Sequence, residues 1–333
     1  MSTPVYHDDD ADLSELNDRK VAIIGYGDHG AAQALSLRDS GVDVRMGLPP
    51  TSVNRARAED QGLRVLTPGE AAAEADLTVL LAPLALQRFV YTQSIAPGLA
   101  EGDALLFTDA FPIHYGLIDP PAGIDVLLLA PMADGEQLRR QYHDGKGVPS
   151  FVAVERDASG GAWRLLLAYA KGVGATRAGA LATTFSAQAE VARFGEQAVV
   201  GGAAALVAAG FDTLVGAGLP AEAAYVACVH QLKTAVDALY AGGLAGLREI
   251  ESDVARYGSL TRGPRVVDEQ VRQAMRQLLD EIRDGRFVAE WMVDENANRP
   301  TATALREQSA QHPVEPAGDA VRAMLPWLGG PIR

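Results

Sequence analysis

An α/β chain, with a doubly wound parallel sheet in its first half and helices in its second, is predicted by three features of the sequence. The first is V-A-I-I-G-Y-G-D-H-G at 21–30, an apolar run entering three glycines and then a helix-forming stretch. The second is a series of short, nearly continuous apolar runs separated by helical segments, up to about residue 182. Strands buried on both faces read this way, and the alternation is that of βαβ units. The third is the change at about residue 183 to long helical segments rich in Ala and Gly.

In chain order, residues up to about 19 are a polar lead-in with a short helical turn at D-A-D-L-S-E-L. Val21–Ile24 is the first strand of the βαβ unit. Gly25 permits the tight turn, Gly27 lets a pyrophosphate approach the backbone, and Gly30 lets helix and strand pack closely. Tyr26, Asp28 and His29 complete this turn, whose unpaired N–H groups and helix dipole favour phosphate. The competing reading is a glycine-rich turn without a ligand, with His29 exposed.

A second strand, Val42–Met46, ends in Met46 and Gly47, where an NAD-specific unit usually places an acid for the ribose 2′-hydroxyl. Ser52, Asn54, Arg55 and Arg57 follow, hydroxyls and cations that lean towards a 2′-phosphate. NADPH is therefore the expected cofactor and NADH the alternative; surface arginines are the competing reading. Further apolar runs fall at Leu63–Leu66, Leu77–Leu81, Ala104–Phe107, Val126–Ala130 and Phe151–Val154. Ligands of such sheets lie beyond the C-terminal strand ends, which singles out the loops around Pro83, Asp109 and Met132. Residues 198–220 carry one charge, Asp212, and are read as closely packed buried helices rather than a membrane span.

The 333 residues suffice for two domains, each with its own core. The net charge of −14 argues against a nucleic-acid surface and against anionic membrane, leaving a small-molecule substrate or a protein partner. Cys228, the one cysteine, allows no internal disulfide and fits a reducing compartment. The acidic start, M-S-T-P-V-Y-H-D-D-D, lacks the apolar core of a signal peptide, so a cytoplasmic location is expected.

The segments K-V-A-I-I-G-Y-G at 20–27, L-A-Y-A-K-G-V-G-A-T-R-A-G at 167–179 and F-G-E-Q-A-V at 194–199 resemble the ketol-acid reductoisomerase family. So do A-G-F-D-T-L-V at 209–215, Y-G-S-L-T-R-G-P-R-V at 257–266 and M-L-P-W-L at 324–328. That family rearranges an acetohydroxy acid and reduces the product with NADPH. The resemblance implies a Rossmann domain at 1–182, an all-helical, knotted domain at 183–328 and a tail at 329–333. It also implies a homodimer in which the second subunit completes the active site.

The family holds two magnesium ions with carboxylates spaced four residues apart on two helices, a spacing that puts each pair on one face. The resemblance places those positions on Ala192 and Glu196, and on Ala227 and Gln231, so no two-metal site is expected. Asp109-Ala110-Phe111 stands for a His-Gly-Phe pattern, and Met132 for a lysine beside the substrate. Ser252 falls on the family's substrate-binding serine, flanked by Glu249, Glu251 and Asp253. Alkyl migration needs a Lewis acid, whereas hydride transfer is carried by the nicotinamide. The main expectation is thus a metal-independent NAD(P)H reductase of an imine or carbonyl. Asp109, Glu196, Glu251 and Ser252 are its candidate catalytic groups, and Met132 and Gln231 line its pocket. The competing readings for the acids are an Asp109 that caps its own loop and a solvated helix face at Glu249–Asp253. The alternatives are a true ketol-acid reductoisomerase with an altered metal site and a non-catalytic cofactor-binding homologue.

Overall fold

The computed structural model describes residues 3–325 and 327. Pro326 and Leu328 of the M-L-P-W-L segment, and the expected tail at 329–333, lie outside the described residues. The chain divides into two compact units, Met1–Val191 and Ala192–Arg333.

The first unit is a nine-stranded sheet in the order β1-β9-β8-β7-β6-β5-β2-β3-β4. Its strands are β1 (Val5–Tyr6), β2 (Lys20–Ile24), β3 (Asp43–Gly47), β4 (Arg64–Leu66), β5 (Leu77–Leu80), β6 (Ala104–Phe107), β7 (Asp125–Pro131), β8 (Ser150–Arg156) and β9 (Ala180–Ala182). The pairs from β4 through β7 are parallel, as are β8 and β9. The β7–β8 and β1–β9 pairs are antiparallel, so the sheet departs from the uniformly parallel one expected. Helices α1 (Asp28–Asp39), α2 (Arg55–Asp60), α3 (Pro68–Ala73), α4 (Leu84–Val90), α5 (Phe111–His114), α6 (Gly135–His143), α7 (Ala162–Gly172) and α8 (Phe185–Phe194) connect or follow the strands.

Successive side chains of a strand point to opposite faces, and here both faces are covered. Val21, Ile23, Val79, Leu106 and Leu127 pack with Leu37 of α1 and Leu166 and Tyr169 of α7. Ala22, Ile24, Leu105, Phe107 and Leu128 pack with Ala71 and Ala72 of α3 and with Phe185 of α8. That double burial is why β2 and β6 are apolar at every inner position. Thr67 and Glu70 form a capping box at the start of α3, fixing the entry to that helix.

The second unit contains α9 (Gly202–Gly216), α10 (Ala221–Tyr225), α11 (Gln231–Ile250), α12 (Asp253–Val266), α13 (Glu269–Arg283), α14 (Arg286–Asn296), α15 (Pro300–Ala310) and α16 (Val314–Ala323). Two π-helical segments, Gly195–Gly201 and Val226–His230, precede α9 and α11. Its buried apolar cluster is small, centred on Phe211, Ala224 and Ala317. Closely packed, buried helices are expected over residues 198–220, and the single chain leaves that stretch mostly exposed. The helix Phe185–Gly216 is long and apolar enough to cross a membrane by length and composition, yet only 11% of its most apolar stretch is buried. Tyr240, Leu244 and Val254 are likewise largely exposed.

Candidate active site

The glycine turn is built by three different steric demands. Gly25 has φ of +113°, and a Cβ there would lie 2.6 Å from the Leu81 carbonyl oxygen at the end of β5. Its amide donates to the Gly47 carbonyl at 3.2 Å, tying the turn to the end of β3. A Cβ on Gly30 would meet the Gly25 carbonyl oxygen at 2.1 Å, so α1 can approach β2 only with glycine there. Around Gly27, the N-cap of α1, nothing lies within 4 Å of a Cβ. That open side, beside a helix start whose first amides lack intrahelical acceptors, is where a pyrophosphate fits.

Neighbouring elements hold this turn in place. Asn54 donates its side-chain amide to the Tyr26 carbonyl at 3.1 Å, and Ser52 Oγ accepts the Asn54 amide at 3.3 Å. The Tyr26 hydroxyl donates to Gln61, and burial pushes its pKa up. Arg55, expected to face a 2′-phosphate, instead donates to the Val65 carbonyl at 3.1 Å and pairs with Glu59 at 3.2 Å. Arg57 lines a groove of about 880 Å³ between α1, α2 and α6, with Arg38, Gln61, Gly135 and Arg139. Its positive charge reaches the Tyr26 hydroxyl. His29 is half-buried with no partner for Nδ1, and burial holds its pKa below the ordinary value. Pro83, the N-cap of α4, stands two residues beyond Leu81, whose carbonyl faces Gly25.

The candidate catalytic acids are engaged elsewhere. Asp109 Oδ1 accepts the Phe111 amide at 3.0 Å, the loop-capping arrangement, while Gln188 holds the adjacent Ala110 amide at 2.9 Å. Glu251 accepts from Arg248 at 2.8 and 3.1 Å, which holds its carboxyl below the usual range. Ser252 Oγ caps α12 by accepting the Ala255 amide at 3.3 Å. Met132 is 46% exposed in the loop after β7. Glu196 pairs with Arg193 at 3.2 Å, and Gln231 is exposed at the start of α11.

As a donor set, these residues do not fit two magnesium ions. Ala192 and Ala227 offer no ligand atom, Gln231 offers one neutral carbonyl, and the Glu196 carboxylate faces a guanidinium. Among the described residues, no three His, Cys, Asp or Glu side chains cluster as a metal centre would require. Glu196 and Ala227 do sit in the two π-helical segments, a local geometry that recurs at functional sites.

The sequence reading assigned no role to two participants, Gly135 and Arg193, and did not separate Arg55 from Arg57. Gly135 looks like an ordinary helix start, because its close approach to α1 leaves no trace in the local sequence. Arg193 was legible as an i, i+3 partner of Glu196. The division of labour between Arg55 and Arg57 depends on tertiary contacts.

Residues 15–179 match the family model described as the NADPH-binding domain of acetohydroxy acid isomeroreductase. Residues 185–327 match that of the ketol-acid reductoisomerase C-terminal domain. A ketol-acid reductoisomerase (NADP(+)) of Saccharopolyspora erythraea is 52% identical over 332 residues, covering 99% of this chain and 100% of the relative. One from Kineococcus radiotolerans is 49% identical, covering 97% and 95%. The solved structure of an NADH-preferring ketol-acid reductoisomerase from an uncultured archean superposes with a TM-score of 0.90 at 36% identity, covering 96% and 98%.

These matches correct the expectation of an imine or carbonyl reductase that has lost the magnesium-dependent isomerase step, since full-length relatives at half identity carry the reductoisomerase name. That expectation used Asp109 and Glu251 as anions attracting a cationic substrate; the Asp109 carboxylate accepts the Phe111 amide of its own loop, and Glu251 is paired with Arg248. With both halves of its length matched, the chain belongs to the ketol-acid reductoisomerase family.

Proposed function

We propose that the chain is an NADPH-dependent ketol-acid reductoisomerase with an altered metal site, acting on an acetohydroxy acid such as 2-acetolactate. The observation that carries this reading is the match of both the cofactor domain and the C-terminal domain, at about half identity to full-length relatives of that name.

Within the first unit, the open face of Gly27 and the amides at the start of α1 suit the pyrophosphate. Ser52, Arg57 and the backbone after β3 suit the adenosine end. NADPH supplies the hydride. The chain's own residues position it: Gly25 and Gly30 set the height of α1 above β2, and Asn54 fixes the Tyr26 peptide. In the second unit, Ser252 accepts the Ala255 amide at the cap of α12, which leaves its O–H proton to donate to substrate.

A homodimer in which the partner completes the site is part of the same reading. Support comes from the exposed apolar faces of the second unit, Tyr240, Leu244 and Val254 among them, which are larger than isolated surface residues require. Light scattering should give twice the chain mass, and Leu244→Asp should shift it towards the single-chain value.

The deciding experiment is NADPH oxidation with 2-acetolactate over a series of magnesium concentrations and in EDTA, beside the Saccharopolyspora relative. The expected result is turnover that needs more magnesium for half activity than the relative. Absence of turnover at every magnesium concentration would overturn the reading.

A further inference from the structure

Gly135 opens α6 and is buried against the first turn of α1. A Cβ there would lie 2.2 Å from the carbonyl carbon and oxygen of Asp28 and 2.6 Å from the His29 amide nitrogen. Contacts this short are with backbone, which cannot rotate away as a side-chain tip can. The peptide in question joins the two residues whose amides begin the phosphate-binding end of α1. Farther along, the helices remain locked. Ala32 packs with Leu138, Arg139 donates to Ser36 Oγ at 3.2 Å, and Arg139 also pairs with Asp39. Immediately upstream of Gly135 lie Pro131–Asp134, the loop bearing Met132. Asp134 caps α6 by accepting the Gln137 amide at 2.7 Å.

We infer that Gly135 is a positioning residue for the dinucleotide: it seats the Asp28–His29 peptide and so joins the loop at Pro131–Asp134 to the cofactor's phosphate turn as one body. This rests on the proposed NADPH-dependent function. Any larger side chain at 135 must lift the start of α1 or displace α6, and either movement misaims the backbone N–H groups at the pyrophosphate. It also predicts that dinucleotide binding is felt in the loop, although Met132 itself need not touch the cofactor.

Gly147 supplies the control. A Cβ there would lie 2.3 Å from the Gly174 carbonyl oxygen, an equally tight approach, but away from the start of α1. NADPH affinity would be measured by fluorescence titration, and stability by thermal unfolding, for the wild type, Gly135→Ala and Gly147→Ala. Loss of one well-aimed hydrogen bond to a charged group corresponds to about a tenfold rise in Kd. That rise is expected in Gly135→Ala, whereas Gly147→Ala should lose stability with Kd within about twofold of the wild type. Equal Kd values for Gly135→Ala and the wild type, or an equal rise in both variants, would overturn the inference while leaving NADPH binding intact. A wild type that binds no NADPH would instead overturn the proposed function and this inference with it. If Gly135→Ala does not fold, amide exchange of the wild type decides. NADPH should slow exchange at 132–138 as well as at 27–31, and protection confined to 27–31 would refute the link.

Discussion

The guanidinium of Arg193 stands 3.2 Å from the carboxylate of Glu196, with the arginine side chain only 14% exposed. A cation so placed competes with any metal for the one carboxylate left among the four positions. Arg193→Leu should therefore tighten Mn²⁺ binding, read by electron paramagnetic resonance. With the Glu196 side chain 59% exposed, such a pair is worth up to about 1 kcal/mol, so a gain of up to about fivefold is expected. No gain would show that Glu196 is not a metal ligand.

Gly25 and Gly27 should respond oppositely to alanine. Gly25→Ala meets both a positive φ and the Leu81 carbonyl, and loses roughly 1–3 kcal/mol of stability from backbone conformation alone. Gly27→Ala meets nothing within 4 Å and should unfold at the wild-type temperature while binding NADPH more weakly. Calorimetry and dinucleotide titration together distinguish the two effects.

Arg55 and Arg57, two residues apart, should also separate. Arg55→Ala strips a donor from the Val65 carbonyl and should cost about 1 kcal/mol, with little change in the preference for NADPH over NADH. Arg57→Ala should leave stability within about 0.5 kcal/mol and weaken NADPH more than NADH. Equal losses for both dinucleotides would exclude Arg57 from the 2′-phosphate.

His29 gives a pH dependence whose sign follows from burial. Its folded pKa lies below the ordinary value of 6.5, so the unfolded chain takes up its proton first as pH falls. The contribution of this residue to stability is complete above about pH 6.5 and declines between that pH and the folded pKa. Denaturant titrations at pH 7.5 and 5.5 should show this decline in the wild type and a smaller one in His29→Gln.

Most of the first unit was legible because burial on both faces writes itself into composition. The run Ala104–Phe107 coincides with β6, and Val21–Ile24 differs from β2 by one residue. Strands β1 and β9 left no such mark, being two and three residues long, too short to stand out as an apolar run. The glycine turn was readable since its geometry is local. The roles of Arg55, Asp109 and Glu251 were not, because each is decided by a partner that spacing alone does not select. Val65, Phe111 and Arg248 took groups that a reading by residue type assigned to ligands. The apolar composition of 198–220 was read correctly as helix, but composition cannot say whether its cover comes from the same chain.

The pairing of Val5 with Leu181 and of Tyr6 with Ala180 sets an order on synthesis. Strand β1 is made before β2 to β9 and has its partner near the end of the same unit, so it must wait, unpaired, while the rest of this sheet is made. Until about residue 182 has cleared the exit tunnel, β8 presents an open edge and the sheet has no closed border on that side. A nascent chain stalled before that point offers both a loose strand and, along β8, an open sheet edge, the pair of elements most prone to engage a neighbouring polypeptide.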